Sequence, residues 1–457
     1  MSTVLTPAKP PSYLTIFQDP KNGSANQPTQ KGLCALLTAG RDVWNEWRAW
    51  NPVIPADFSD VDFGFLMKPN KAIGGIPIGG WEIDLAGINW GMTVKFCRAK
   101  FPFPTPSVLN QVRFNGSTFG MLQHGGHADF SQARFEGRAC FDHTAFLTTS
   151  ALFDHAVFVQ QISFREAYIK DAYFRHATFC DGAFFRRTEF EVRADFTGAK
   201  FNGSLFTAYF SGVQFAQVTF TDAKINGPIN FGTEIPAKII MWDRTQNAFV
   251  EKQAGTQFCV FHKAPKFFNC TLHADIQFSG GDAQFPDIES EHASRAYRAL
   301  RQAMSTHQAT REEQMFFRLE LRSERRATKD KWRKFAYWAY EFFSDYGFSI
   351  RRPLIRLWLW PVAIALAVYA VLAFTHTGLH GPLNWTKVWQ CLEYTVIQSL
   401  PLPGLDSIVG AFRDNLFGTG SPWLLLLATF FLVAQKILCL FAFFFAGLAL
   451  RNLFKIR

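Results

Sequence analysis

The apolar residues of this chain recur at intervals that suit neither a helix nor a flat strand. From Ala128 to Phe231 a small residue stands two places before a large apolar one, and the unit returns every five or six residues. Ala128/Phe130, Ala133/Phe135, Ala139/Phe141, Thr144/Phe146, Ala151/Phe153 and Ala156/Phe158 open the run. Ala167/Ile169, Ala172/Phe174, Ala177/Phe179, Ala183/Phe185, Thr188/Phe190, Ala194/Phe196 and Ala199/Phe201 continue it. An amphipathic helix repeats its apolar face every three or four residues, and a half-buried strand every two. A short fixed repeat with one bulky residue per unit predicts a solenoid, each unit turning a corner and each coil stacking on the last. Its expected core is Phe130, Phe135, Phe141, Phe146, Phe174, Phe179, Phe185, Phe190, Phe196 and Phe201.

The pattern extends both ways with interruptions. Leu33 to Trp50 reads as one amphipathic helix with Leu36, Leu37, Val43, Trp44 and Trp47 on a side, ended by Asn51-Pro52. Repeat units begin at Ala56-Asp57-Phe58 and Phe63, break, resume at Leu85, Trp90, Phe96 and Phe101, break again at Pro102 to Ser107, and rejoin at Phe114 and Phe119. Beyond Phe231 the pattern fades and returns at Phe268, Phe278 and Phe285, so one solenoid with insertions is expected over residues 53–285. From Asp287 the period turns helical. Ala293, Tyr297, Leu300 and Met304 share one face, and Met315, Phe316, Leu319 and Leu321 form a second stretch, with a turn at Ser305-Thr306-His307. This pair predicts a helical hairpin over the far end, as residues 31–52 would cover the near one, because a bare solenoid end exposes apolar surface.

Two later stretches are apolar enough for a bilayer. Leu357 to Phe374 is interrupted only by Pro361, and Trp423 to Leu450 only by Gln435 and Lys436, which predicts spans at about 355–375 and 423–450 within a membrane domain of residues 351–457. Pro361 is tolerated there with a kink. Trp358 and Trp360 sit where an interfacial aromatic belt belongs. Arg351, Arg352 and Arg356 precede the first span and Arg451, Lys455 and Arg457 follow the second, whereas residues 375–421 carry only Lys387 and Arg413. The positive-inside rule then places both termini and the solenoid in the cytoplasm. The first thirty residues are polar and rich in Pro, Gly and Ser, which predicts a disordered cytosolic start instead of a signal peptide.

Charge sharpens this picture. The net charge of the 457 residues is +10, which suits anionic lipid or nucleic acid. Residues 110–235 hold eleven Lys/Arg against twelve Asp/Glu, whereas residues 291–356 hold fifteen against eight, so the surplus lies just before the first span. Within it, Arg325, Arg326, Lys331, Arg333 and Lys334 are interleaved with Trp332, Tyr337, Trp338 and Phe342. That mixture reads either as an interfacial element on anionic headgroups or as a solvated helix. No nucleic-acid-binding fold is visible, and no nucleic acid partner is expected. The eight Cys stand apart without a CxxC pair, which suits small buried hydrophobes and reduced thiols better than a metal or redox site.

Ala194-Asp195-Phe196-Thr197-Gly198 and Ala128-Asp129-Phe130-Ser131-Gln132 resemble the pentapeptide-repeat family, whose motif is a small residue, Asp or Asn, Leu or Phe, and two polar residues. The resemblance implies a right-handed quadrilateral β-helix with four units per coil, followed here by an α-helical linker and a two-helix transmembrane domain. The departure is the alternation of five and six, as in Phe130, Phe135, Phe141 and Phe146, which would bulge a strict square. Gly40 to Arg48 with Asn51-Pro52 is similar to the helix that precedes the coils in that family. The order continues through Tyr297-Arg298-Ala299-Leu300, Ser344-Asp345-Tyr346-Gly347 and Leu448 to Asn452, and is similar to bacterial membrane proteins that join pentapeptide repeats to a channel-like C-terminus.

Between the spans, Trp385 to Leu400 is amphipathic and ends in Pro401-Leu402-Pro403-Gly404. Span, short helix, abrupt turn and span together look like the two-span pore module of tetrameric cation channels, with residues 385–404 as a re-entrant segment. No Thr-Val-Gly-Tyr-Gly filter stands here, and an extracytoplasmic loop with an interfacial helix fits the same residues. Thr395, Gln398, Ser399 and Lys436 are the candidate pore-lining residues. Lys436 would either line a watery path or snorkel to the outer surface. Only association of subunits makes a pore from two helices, so a homo-oligomer is expected, with a cytoplasmic protein partner on the solenoid as a further expectation.

Candidate chemistry is sparse. His124 and His127 form a possible metal pair, and four units per coil would put His155 and His176 on one face of adjacent turns. Zinc wants three or four convergent ligands, so no metal site is expected, and solvent-facing corners are the plainer reading. No nucleophile elbow, P-loop or dinucleotide fingerprint occurs, so neither catalysis nor a cofactor is expected. Mimicry of DNA would need an acidic rod, which the near-neutral repeat is not.

Overall fold

The computed structural model describes residues 28–69, 72–73, 76–77, 80–103, 109–120, 126–147, 150–203, 208–234, 238–243, 248–253, 257–278, 280–377, 385–400 and 422–454. The expected disorder of residues 1–27, His124, and the turn at Pro401 to Gly404 lie outside these. The chain forms two compact units, Met1–Ser323 and Glu324–Arg457.

The first unit is a β-solenoid. Two- and three-residue strands from successive coils pair in parallel and in register, as in Ala128 with Ala151, Ala151 with Ala172, and Ala172 with Ala194. The expected aromatic residues are buried and stand in four stacks, one per side of the coil. Phe58, Phe96, Phe130, Phe153, Phe174, Phe196, Phe220 and Phe267 form the first, with successive ring centroids 4.7–5.4 Å apart. Phe63, Phe101, Phe135, Phe158, Phe179 and Phe201 form the second. Phe114, Phe141, Phe164, Phe185, Phe210, Phe231 and Phe278 form the third. The fourth begins with Trp90, Phe119 and Phe146 and, past Ile169, ends with Phe190, Phe215, Phe261 and Phe285. Rings of the first and third stacks meet edge to face across the coil, as Phe130 does with Phe141 at 86°, whereas neighbours along the chain are tilted, as Phe130 is to Phe135 at 39°.

The alternation of five and six does not destroy the four-sided coil; the corners absorb it. After the first and third stacks the chain makes a tight turn in which the Phe carbonyl accepts from the N–H three residues on: Ala133 to Phe130 at 3.0 Å, Ala177 to Phe174 at 3.1 Å, and Ser117 to Phe114 at 3.0 Å. The residue before that donor has positive φ, as at Gln132 (58°), His143 (54°), His155 (57°), Glu166 (57°), His176 (57°) and Arg187 (57°). This is the pattern of a type II turn and requires five residues per side. The small residue of each such unit is the turn's donor and is buried, which is why Ala fills it. Where Thr or Ser replaces Ala, its hydroxyl donates to a carbonyl of the preceding coil: Thr144 to Phe114 at 3.0 Å, Thr188 to Phe164 at 2.7 Å, and Ser117 to Leu85 at 2.9 Å.

Three expectations need correction. The segment Leu33 to Trp50 is two helices, α1 (Gln30–Ala39) and α2 (Arg41–Trp50), because Gly40 between them takes φ 114°, outside any helix. The side chain that closes the first stack is Phe267, while Phe268 is only partly buried beneath the Arg295 guanidinium, 4.9 Å from its ring. The gap after Phe231 is an antiparallel insertion, Lys238–Asp243 against Ala248–Gln253, after which Phe261 re-enters the fourth stack.

Both ends are capped. Trp44 of α2 packs on Phe58 and Trp90, and its indole N–H donates to Asn89 O at 2.8 Å. Arg48, 1% exposed, lies over the Trp44 and Trp47 rings, and burial pulls its guanidinium down to about 10. At the far end α3 (Ala293–Thr306) and α4 (Thr310–Ala327) form the expected hairpin, with helix running through Ser305-Thr306 and the turn beginning at His307. Phe316 meets Phe278 and Phe285 edge to face, and Tyr297 donates to Asp287 O at 2.5 Å. Asp287 takes N–H bonds from Ala264, Glu289 and Ser290 at 2.9–3.1 Å. Burial opposes its ionised form, but these donors prevail and hold it below the usual carboxylate value.

Phe153→Ala, in mid-stack, is expected to cost about 3–5 kcal/mol, whereas Gln132→Gly, which relieves a left-handed corner, should stabilise by roughly 1 kcal/mol; thermal melts of the full chain at the β-sheet wavelength check both signs. Asp287 stabilises the far cap above its ordinary titration range, and this is lost as pH falls through its depressed value. Asp287→Asn should therefore lower stability at neutral pH and flatten the acid limb of stability against pH.

Candidate functional site

The second unit is helical. α5 (Lys331–Ser344) begins at Asp330, whose side chain accepts from the Trp332 N–H, and ends in Asp345 with left-handed φ and ψ. A short α6 (Arg351–Pro353) runs through a π turn (Leu354–Leu359) into α7 (Trp360–Thr377). Pro361 has no N–H to give to the turn before it, so the helix widens there. α8 (Trp385–Ser399) has 15 residues, too few to cross a bilayer, which takes about 20. α9 (Pro422–Phe454) has 33, enough to cross with tilt. Two windows, Arg351–Leu372 and Leu426–Asn452, are long and apolar enough to span a membrane, with only 17% and 22% of them buried by protein.

Ser344-Asp345-Tyr346-Gly347 is the joint of this unit. Gly347 has φ 81°, and a Cβ there would meet Tyr340 Oη at 2.9 Å and Asn452 Nδ2 at 3.1 Å. Asn452, near the end of α9, donates to Gly347 O at 2.9 Å, and Arg352 pairs with Asp345 at 3.0 Å. The basic residues Arg351, Arg352 and Arg356 before the first candidate span therefore lie at the same end of the unit as Arg451 after the second.

Between α7, α8 and α9 sits a polar cluster that the sequence did not announce. Tyr369 donates to Gln435 Oε1 at 3.2 Å, and Gln435 Nε2 donates to Thr395 O at 2.9 Å. Tyr369 and Tyr394 stack edge to face at 5.1 Å among Ala365, Leu372, Cys391 and Ala428. Of the candidate pore-lining residues, Thr395, Gln398 and Ser399 are buried in α8, and Lys436 is half-buried in α9. The Thr395 and Ser399 hydroxyls donate within their own helix, to Cys391 O and Val396 O. The Gln398 amide is 2% exposed, and among the described residues neither its oxygen nor its nitrogen has a hydrogen-bond partner. Sequence reading missed Gln435 as the hub; a polar amide inside a span was the signal.

The candidate headgroup residues divide. Arg325 is tied to Glu341. Arg326, Lys331, Arg333 and Lys334 are exposed.

On the solenoid, the His155 and His176 rings stack 5.0 Å apart at 18°, as the count of units per coil implied. His143 faces Glu166, which also pairs with Arg187. Among the described residues no group of three or more His, Cys, Asp or Glu is placed to hold a metal. All eight cysteines are free thiols. Burial raises Cys97 and Cys140 to about 11 and Cys270 to about 12, so these thiols are poor nucleophiles at neutral pH. A cavity of about 460 Å³ beside α1 and the first coil is lined by Arg41 and Lys68 as well as Asp42, Glu82 and Asp84, which selects neither sign of charge.

No family model, curated protein or solved structure matches this chain.

Gln435→Leu breaks both bonds of the α7–α8–α9 cluster and should cost about 1 kcal/mol; unfolding of the full chain in mixed detergent micelles measures it, with Gln435→Glu as the comparison that keeps an acceptor for Tyr369.

Proposed function

We propose that the chain is an integral, multi-pass protein of the bacterial inner membrane, with both termini and a solenoid of pentapeptide-repeat type in the cytoplasm. It works as an oligomeric, channel-like or pore-forming assembly, and not as an enzyme. The solenoid senses or assembles, and offers its faces to a cytoplasmic protein partner.

The observation that carries this reading is the helical unit. Its two long helices keep most of their apolar surface uncovered by protein. A helix in the core of a water-soluble protein would be covered. The basic flanks of both helices share one end, as the positive-inside rule asks of a cytoplasmic side. A short helix packs against both, with Thr395, Gln398 and Ser399 on its buried face and Trp385 and Trp389 exposed, which suits a re-entrant element. Gln398 has a buried amide with no hydrogen-bond partner among the described residues, which suits a polar path completed by association.

A second reading, a membrane-anchored scaffold without conduction, is favoured by the closure of the Tyr369–Gln435–Thr395 cluster on itself. Planar-bilayer recording of the purified protein separates the two. Stepwise currents whose amplitude changes in Lys436→Gln or Gln398→Leu are expected of the channel. Oligomers that leave the bilayer silent would establish the scaffold, and a monomer in detergent would remove the pore altogether.

A further inference from the structure

Four of the aromatic residues of α5 form an uncovered strip. Trp332, Phe335, Trp338 and Phe342 are 81%, 56%, 43% and 39% exposed. At about 100° per residue they fall on one side of the helix. Their rings touch in series, Phe335 to Trp338 at 5.6 Å and Trp338 to Phe342 at 5.2 Å. Lys334 borders this strip and Lys331 stands on its line at the N-terminal end of the helix, while Arg333 stands on the side of Tyr337 and Tyr340. Four large aromatic rings facing water on one helix are costly unless something covers them.

The joint at Gly347 identifies the cover. Tyr340 packs on Phe445 with ring centroids 6.0 Å apart, Asn452 holds Gly347, and Arg352 holds Asp345 and the Glu341 carbonyl. Arg356, at the start of the first candidate span, lays its guanidinium over the Phe342 ring at 4.1 Å and donates to the Phe342 carbonyl. The strip therefore ends where the first span begins, and α5 is clamped to the basic ends of both spans.

We propose that α5 lies in the plane of an anionic bilayer surface, its Trp332–Phe342 strip sunk among the upper acyl chains and Lys331 and Lys334 on the headgroups. This rests on the reading of the chain as membrane-spanning. Aromatic rings favour that depth because they are apolar bodies with polar edges. The ordered joint fixes the helix at that depth, so the basic residues alone are not the anchor.

The test uses the full chain labelled with 5-fluorotryptophan in nanodiscs containing phosphatidylglycerol, each 19F resonance assigned by a single Trp→Phe substitution. Lipid spin-labelled high on its acyl chain is then added. The Trp332 and Trp338 resonances are expected to broaden strongly, together with those of Trp360 and Trp423 in the spans. Replacing phosphatidylglycerol by phosphatidylcholine should reduce the broadening of Trp332 and leave that of Trp360 unchanged. Sharp Trp332 and Trp338 lines beside broadened Trp360 and Trp423 would overturn the proposal. So would protection of Trp332 and Trp338 from both the lipid label and a water-borne paramagnet, which would assign the strip to a second copy of the chain. Sharp lines for all four would instead remove the membrane reading on which the proposal rests.

Discussion

The spacing between paired strands governs the first unit. Parallel strands of successive coils sit about 4.8 Å apart, and a flat aromatic ring fills that interval when stacked with a slight offset. The Phe stacks obey it, with centroid distances such as 4.9 Å from Phe130 to Phe153 and again from Phe153 to Phe174. One ring per side per coil thus satisfies the backbone ladder and fills the interior together. A branched aliphatic side chain fills the gap less evenly, and Ile169 shows that only an occasional one is used. Edge-to-face contact across the coil, as between Phe130 and Phe141 and between Phe141 and Phe153, then locks the columns into one core.

Everything else in the solenoid follows from keeping those columns straight. The tight corner needs a left-handed residue, and polar side chains accept that conformation at some cost where glycine is absent. It also needs a small inward donor, supplied by Ala or by Thr and Ser with their hydroxyls returned to the coil before. Insertions are placed between columns and return the chain to the next one, as the hairpin between Phe231 and Phe261 does. At the ends, where no further ring is available, Trp44 and Phe316 supply the missing apolar cover from helices.

The helical unit answers to a different constraint. Its long helices are apolar on most sides, so polar groups within them must find one another. Gln435 meets this by joining α7 and α8 through Tyr369 and Thr395. At the other end, Gly347 lets the chain approach closely enough for Asn452 to close the joint, and that closure places the α5 aromatic strip at the basic ends of both apolar helices.

The periodicity of Phe and the length of the two apolar stretches were enough to foresee a capped solenoid followed by helices able to cross a membrane, because both are one-dimensional patterns: a ring per side, and hydrophobicity over a fixed length. The His155–His176 stack was countable for the same reason. Folding in three dimensions decided what no local pattern records. Whether Phe267 or Phe268 joins the column depends on how the chain leaves an insertion. Gln435 became a hub, and α5 kept its rings uncovered, only through packing between segments distant in sequence, since a hydrogen-bond partner or an uncovered face belongs to an arrangement and not to a residue.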